Sequence, residues 1–258
     1  MWPFKKKKNN FDNFPPIGGL MVSKMIADEK KPPMFMFREK RSRPEDSGWR
    51  LFSGFESDEY SDNPDNFGIY NPSTILNIDS SITGLLLKGI GSVFERKSVK
   101  SPWYSVHDYP LEDDYMVTHA LTKHWKFSIN NLFERCVEED GSLMYTTGDK
   151  TVRIIVWNYD DPTSKEEIYK EHVEKVNNRD QTITKTLEKY ELSDETIKRI
   201  GYRIKESDES KEYDVIYGFC INDNQVLMAC FYIDEKEDLN WSVETWKSIS
   251  KIDQDSKK

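Results

Sequence analysis

Apolar and polar residues alternate in short runs along the first hundred positions, at GGLMVS (18–23), PMFMFRE (33–39) and WRLFS (49–53). A period of two over so few residues predicts strands. Helical signals follow. Asn71 before Pro72 has the form of an N-cap with proline in the first helical position, and Asp79 is placed to cap SSITGLLLKG, with Gly89 as its stop. GIGSVFERK (89–97) then predicts a turn into a last strand. Strands followed by helices make residues 17–105 an α+β domain.

Residues 106–123 lack a clear period and begin acidic, with a proline, so they are expected to be a linker. Strand patterns resume at HWKFSI (124–129), GSLMYTTG (141–148) and KTVRIIVWNY (150–159), the last with Val152, Ile154 and Val156 on one face. Asp161-Pro162-Thr163 is expected to open a helix running to about Asn177, with Thr163 and Glu166 as a capping box. LSDETIKRIG predicts a second helix, with Ser193 as cap and Gly201 as stop. EYDVIYGFCI and QVLMACFYI flank Asn222-Asp223-Asn224, a hairpin signal. In the final helix Leu239, Val243, Trp246 and Ser250 share a face with Ile249 alongside, so Trp246 is expected in the core and Trp241 at the helix edge. The expectation is therefore two α+β domains, 17–105 and 124–252, each an antiparallel or mixed sheet with helices packed on it. Flexible tails are expected at 1–16 and 253–258.

Charge narrows the choice of partners. The balance is −9, and the basic residues gather only at Lys5–Lys8 and around Arg38, Lys40, Arg41 and Arg43. An acidic chain repels phosphate backbones, so the reading is no nucleic acid and, if anything, a basic partner. Trp2 and Phe4 beside the four lysines make at most a weak membrane contact. No apolar run approaches the length of a span, and no apolar stretch follows the lysines as a secretory signal requires, so a cytoplasmic protein without stable membrane insertion is expected.

Candidate chemistry is sparse. Cys136, Cys220 and Cys230 form no CxxC and are read as free thiols. His107, His119, His124 and His172 have no zinc spacing. Asp58, Asp62, Asn63, Asp65 and Asn66 offer hard oxygens, but Pro64 interrupts them and no glutamate completes a calcium loop. GIGSVF lacks the third glycine and the lysine of a phosphate cradle. No cofactor, no metal and no catalytic residue is assigned.

The most unusual stretch is SGWRLFSGFESDEYSDNPDNFGIYN (47–71). Between Glu45 and Asp65 it sets seven acids against a single base, Arg50, with Trp49, Phe52, Phe55, Tyr60, Phe67 and Tyr70 among or beside them. With MVSKMI, FMFREK and LLLKGIGSVFER in the same order, and most specifically with the D-S-G-W-R run at Asp46–Arg50 followed by Gly54, Tyr60, Asn63, Asn66 and Tyr70, it resembles a bacterial domain family. That family was long of unknown function and is classed by gene neighbourhood with the immunity proteins of polymorphic toxin systems. The second half more loosely looks like the α/β sandwich of the photosystem-associated and Ran-binding small-protein superfamily, through KFSI, VRIIVWN, YGFCI and DLNWSVETWKSI.

The resemblance implies a non-enzymatic binder that neutralises a cognate toxin with a basic surface. Charge and aromatics then place the contact at Asp58, Glu59, Asp62 and Asp65, in the stretch from Glu56 to Asn66. Asp46, Trp49, Arg50 and Gly54 are expected to support it. The alternative is an enzyme or small-ligand binder with a site between the two domains and perturbed carboxylates near Asp46 or Glu95.

Overall fold

A computed structural model describes residues 11, 13–159, 163–208 and 211–252. The Lys5–Lys8 run, Asp161-Pro162 and the 253–258 tail lie outside the described residues. The chain divides into two compact units, 1–114 and 115–258. Both are α+β.

In the first unit the order is β1 (Gly19–Ser23), α1 (Lys24–Ala27), β2 (Phe35–Arg38), β3 (Asp46–Phe52), α2 (Asp58–Ser61), β4 (Phe67–Tyr70), α3 (Pro72–Leu76), β5 (Val93–Glu95) and β6 (Tyr104–Ser105). The strands form one mixed sheet, β4-β1-β3-β2-β5-β6, in which only β1 and β3 run parallel. Leu20, Val22, Met36, Trp49, Leu51 and Phe94 alternate onto one face and are buried against Ile26, Ile75, Leu76, Ile82 and Leu86. Asn71 caps α3 as expected, accepting from the Ser73 amide at 3.0 Å with Pro72 at the first helical position. Phe11 and Phe14 also pack against this core, so part of the expected 1–16 tail belongs to the fold.

The helix expected after Asp79 is instead two 3-10 turns, Ser80–Ile82 and Leu85–Leu87. Asp79 does cap the first, through the Ser81 amide at 2.9 Å. Gly84 and the β-branched Ile82-Thr83 pair weaken a continuous helix there, and the ion pair between Asp79 and Arg96 holds the first turn.

The second unit runs β7 (Met116–Ala120), β8 (Trp125–Asn130), β9 (Glu134–Val137), β10 (Leu143–Thr146), β11 (Lys150–Asn158), α4 (Lys165–Asn177), β12 (Glu188–Glu191), β13 (Lys198–Ser207), β14 (Glu212–Asn222), β15 (Gln225–Ile233), α5 (Leu239–Ser248) and β16 (Ser250–Lys251). A seven-stranded antiparallel sheet, β12-β13-β14-β15-β11-β10-β9, carries α4 on one face. The small sheet β16-β8-β7 and α5 share a core with its other face. β7 lies inside the expected 106–123 linker; its residues are all exposed or half-buried, so no apolar alternation marks it. Asp223-Asn224 is the hairpin turn between β14 and β15, with Asp223 at φ 49°.

Several local expectations are corrected. The helix predicted for LSDETIKRIG is absent. Asp194 accepts from the amides of Thr196 and Ile197, both at 2.8 Å, and the chain then enters β13. Gly201 is not a helix stop: it pairs with Gly218 across β13 and β14, and Trp246 lies on the bare patch they share. A Cβ at Gly218 would sit 2.6 Å from that indole. The capping box falls one residue later than expected, with Ser164 and Glu167 as its partners. Ser250 lies beyond α5, in β16.

Candidate functional site

The D-S-G-W-R run owes its geometry to Gly48. Along the parallel pair, Gly19 faces Asp46 while Met21 faces Arg50, so β3 fits four steps where β1 takes two. The slack is a bulge. Gly48 sits at φ 79° and approaches the chain of β2 so closely that a Cβ would lie 2.1 Å from the Glu39 carbonyl. Only glycine meets both demands. Asp46 closes the bulge by accepting from the Gly48 amide at 2.9 Å, and the Ser47 hydroxyl accepts from the Trp49 amide at 3.1 Å.

Because the chain is gathered in, Arg50 reaches back to Asp46 and donates to both carboxylate oxygens, at 2.9 and 2.8 Å. Its Nε donates to Glu39 at 2.7 Å. Arg50 is 6% exposed and Asp46 9%, so this is a largely desolvated, bidentate pair. Burial of Asp46 opposes its charge, but the Arg50 hydrogen bonds and the Gly48 amide outweigh it and hold the carboxyl down at about 2. Trp49 points to the opposite face, fully buried, and its indole donates to the Leu86 carbonyl at 3.0 Å.

After β3 the chain turns at Gly54, at φ 79°. Glu56 folds inward. Its carboxylate accepts from the amides of Ser53, Gly54 and Phe55 at 2.9, 2.9 and 3.1 Å, and from the Ser53 hydroxyl at 2.8 Å. Burial works against its ionised form, yet hydrogen bonds from the Ser23 side chain and from the amide and hydroxyl of Ser53 lower its pKa. Glu56 is thus a brace for the turn rather than part of an outward acidic face.

The next ten residues are two short turns. Ser57 caps α2 and Asn63 caps a 3-10 turn over Pro64–Asn66. Tyr60 and Asn66 clamp the two together: the Tyr60 hydroxyl donates to the Asn66 carbonyl at 3.2 Å, and the Asn66 side-chain Nδ2 donates to the Tyr60 carbonyl at 2.9 Å. Tyr60 then contacts Phe67 edge-on, and Phe67 contacts Phe52 in the same way. Asp58, Glu59, Asp62 and Asp65 all project from this braced ledge into solvent. Among the described residues none of the four is ion-paired. Phe55 is 69% exposed and Ile69, on the edge strand beside the ledge, 63%. The arrangement is an anionic surface with two apolar side chains at its margins, held in shape by its own hydrogen bonds.

Elsewhere the sequence candidates are structural. Cys220 accepts a hydrogen bond from the Trp246 indole at 3.2 Å, and burial pushes both it and Cys230 up to about 12, away from thiolate chemistry. Trp246 is fully buried, and Trp241 stacks on Phe133 at 5.1 Å. Among the described residues no three His, Cys, Asp or Glu side chains converge as a metal site requires, and no helix is long and apolar enough to cross a membrane. Glu95 is exposed, so it supplies no buried carboxylate beside Asp46.

No curated protein matches the chain. Solved structures similar to it include one from Bacteroides thetaiotaomicron, at 10% identity and TM-score 0.39, where the match spans 50% of this chain and 46% of the other. Cyanobacterial PsbP from Synechocystis is similar at 9% identity and TM-score 0.40, over 54% of this chain and 94% of that one. The Saccharomyces cerevisiae Ran-binding protein Mog1p is similar at 10% identity and TM-score 0.33, over 52% and 84%. Residues 20–107, which hold the Gly48 bulge and the acid-bearing ledge, match the family described as the Immunity protein Imm33 domain.

Proposed function

We propose that this protein is a non-enzymatic, cytoplasmic immunity-type binder that neutralises a bacterial toxin, and that the ledge bearing Asp58, Glu59, Asp62 and Asp65 meets a basic surface of that toxin. The observation that carries the reading is the state of these carboxylates within the matched domain. They are exposed, unpaired and held on a braced backbone. Four unneutralised charges within eight residues add their fields, which raises the rate of encounter with a cationic partner. A braced surface also loses little conformational freedom on binding. Phe55 and Ile69 supply apolar anchors at the margin of the charge. Asp46, Trp49, Arg50 and Gly54 serve this surface indirectly, by fixing where β3 ends and how the chain leaves it.

Co-expression with a candidate toxin encoded beside this gene tests the reading. Growth is restored if it holds. Killing that continues while both proteins are soluble overturns it.

A further inference from the structure

The second unit carries a cavity unrelated to the ledge. The buried stripe of α4 recurs every four residues, at Ile168, His172 and Val176. Two of these are aliphatic and the third is an imidazole only 3% exposed. A polar ring on an apolar stripe needs partners. His172 Nδ1 lies 2.8 Å from the Ile168 carbonyl, one turn back, so Nδ1 carries the proton and Nε2 is an acceptor. Nε2 has no protein partner among the described residues, yet it is not sealed in by protein atoms either. His172 is one of the residues that line a cavity of about 220 Å³.

The walls of that cavity define a chemistry. Trp157, Tyr202 and Phe219 project from the sheet and present aromatic surface, and Val176 closes the helix side. Two cations, Lys175 and Arg179, also line it. Lys175 is paired with Glu171 at 2.5 Å, which offsets its charge. Arg179 stands differently. Its terminal nitrogens donate to the carbonyl and the hydroxyl of Thr184, both neutral, and its guanidinium lies 5.2 Å from the Tyr202 ring. Asp180 next to it accepts instead from the Thr182 amide and hydroxyl. The cavity therefore combines a guanidinium that has no carboxylate at contact distance, though Asp180 acts on it from further off, with flat apolar walls and one buried imidazole. It is smaller than the roughly 300–1,000 Å³ that drug-sized ligands occupy, which suits a single ring.

The geometry points to a ligand site between α4 and the seven-stranded sheet for a single-ring aromatic carboxylate that bears a hydroxyl or amino donor. The ring lies among Trp157, Tyr202 and Phe219, the carboxylate meets Arg179, and the donor meets His172 Nε2. Ordered water is the competing content, since a polar cavity of this size accommodates it.

The test uses the full chain with histidine labelled at its ring nitrogens, titrated with 4-hydroxybenzoate and, separately, with 4-hydroxybenzylamine. The two probes share ring and hydroxyl and differ in charge. The carboxylate should move the His172 Nε2 signal saturably, and the amine should bind at least about tenfold more weakly. Arg179→Gln, on the cavity margin and so compatible with folding, should weaken the carboxylate about tenfold, and Val176→Phe should exclude both probes by filling the space. The site is overturned if millimolar carboxylate leaves the His172 signal unmoved, if both probes bind equally, or if Arg179→Gln binds as the parent does.

Discussion

Asp46 and Arg50 are four residues apart on one strand, yet they form a two-point ion pair at 2.9 and 2.8 Å. In a regular strand that spacing spans about 13 Å. The contact exists only because Gly48 bulges the chain between them, and the pair in turn locks the bulge. Four of the five residues of D-S-G-W-R thus describe one backbone feature: the acid, the serine, the left-handed glycine and the arginine. The tryptophan faces away and fixes the strand to the core.

Gly48→Ala should therefore be the most damaging small substitution in the first unit. The left-handed conformation costs about 1–2 kcal/mol for any residue with a Cβ, and here that Cβ also meets the Glu39 carbonyl. A loss of more than about 2 kcal/mol in urea unfolding is expected. An unchanged midpoint would show that the bulge relaxes freely.

Asp46→Asn leaves buried Arg50 with Glu39 as its one carboxylate partner, which should lower stability by about 3 kcal/mol. It should also remove an acid transition. The folded carboxyl is held at about 2 against an ordinary 3.8, so its stabilisation is complete above pH 3.8 and is lost as pH falls towards 2. Thermal unfolding across that window should slope less steeply in the variant than in the parent.

Trp49→Ala empties a fully buried site and removes the hydrogen bond to the Leu86 carbonyl. A cost of about 3–5 kcal/mol is expected. Any loss of the proposed toxin binding should follow the unfolded fraction, because the side chain faces away from the ledge; binding lost in a folded variant would contradict this placement.

Asp58→Lys with Asp62→Lys should do the reverse. Both sites are exposed and unpaired, so stability should stay within about 0.5 kcal/mol. Association with the proposed toxin partner should slow strongly at low salt and less at high salt, since such fields are screened within about 8 Å at physiological ionic strength. Wild-type association kinetics at every salt concentration would place the contact elsewhere.

His172 makes the second unit sensitive to mild acid. Burial lowers its pKa from 6.5, the Ile168 carbonyl opposes the shift, and Lys175 and Glu171 act in opposite senses. The unfolded chain therefore binds the extra proton first. Stability is complete above pH 6.5 and declines as pH falls through the lowered value. His172→Gln should flatten the dependence of the second unit's unfolding midpoint over that range.

The sequence alone determined what local chemistry can determine. Alternation placed β1, β2, β3, β11, β14 and β15, Asn71-Pro72 placed the start of α3, and the Asn222-Asp223-Asn224 run placed the hairpin, because capping, turn geometry and one-sided burial act over a few residues. It also located the stretch that carries the family match. What it left undecided depends on distant partners. Asp194-Glu195-Thr196 has helix-start chemistry, but Gly201 is required opposite Gly218 to seat Trp246, so β13 prevails over local propensity. Glu56 reads as one acid among seven, and only the three amides that converge on it turn it inward. His172 shows the same limit: its place on the stripe of Ile168 and Val176 is visible in the spacing, whereas the cavity it lines is walled by Trp157, Tyr202 and Phe219, which come from three different strands.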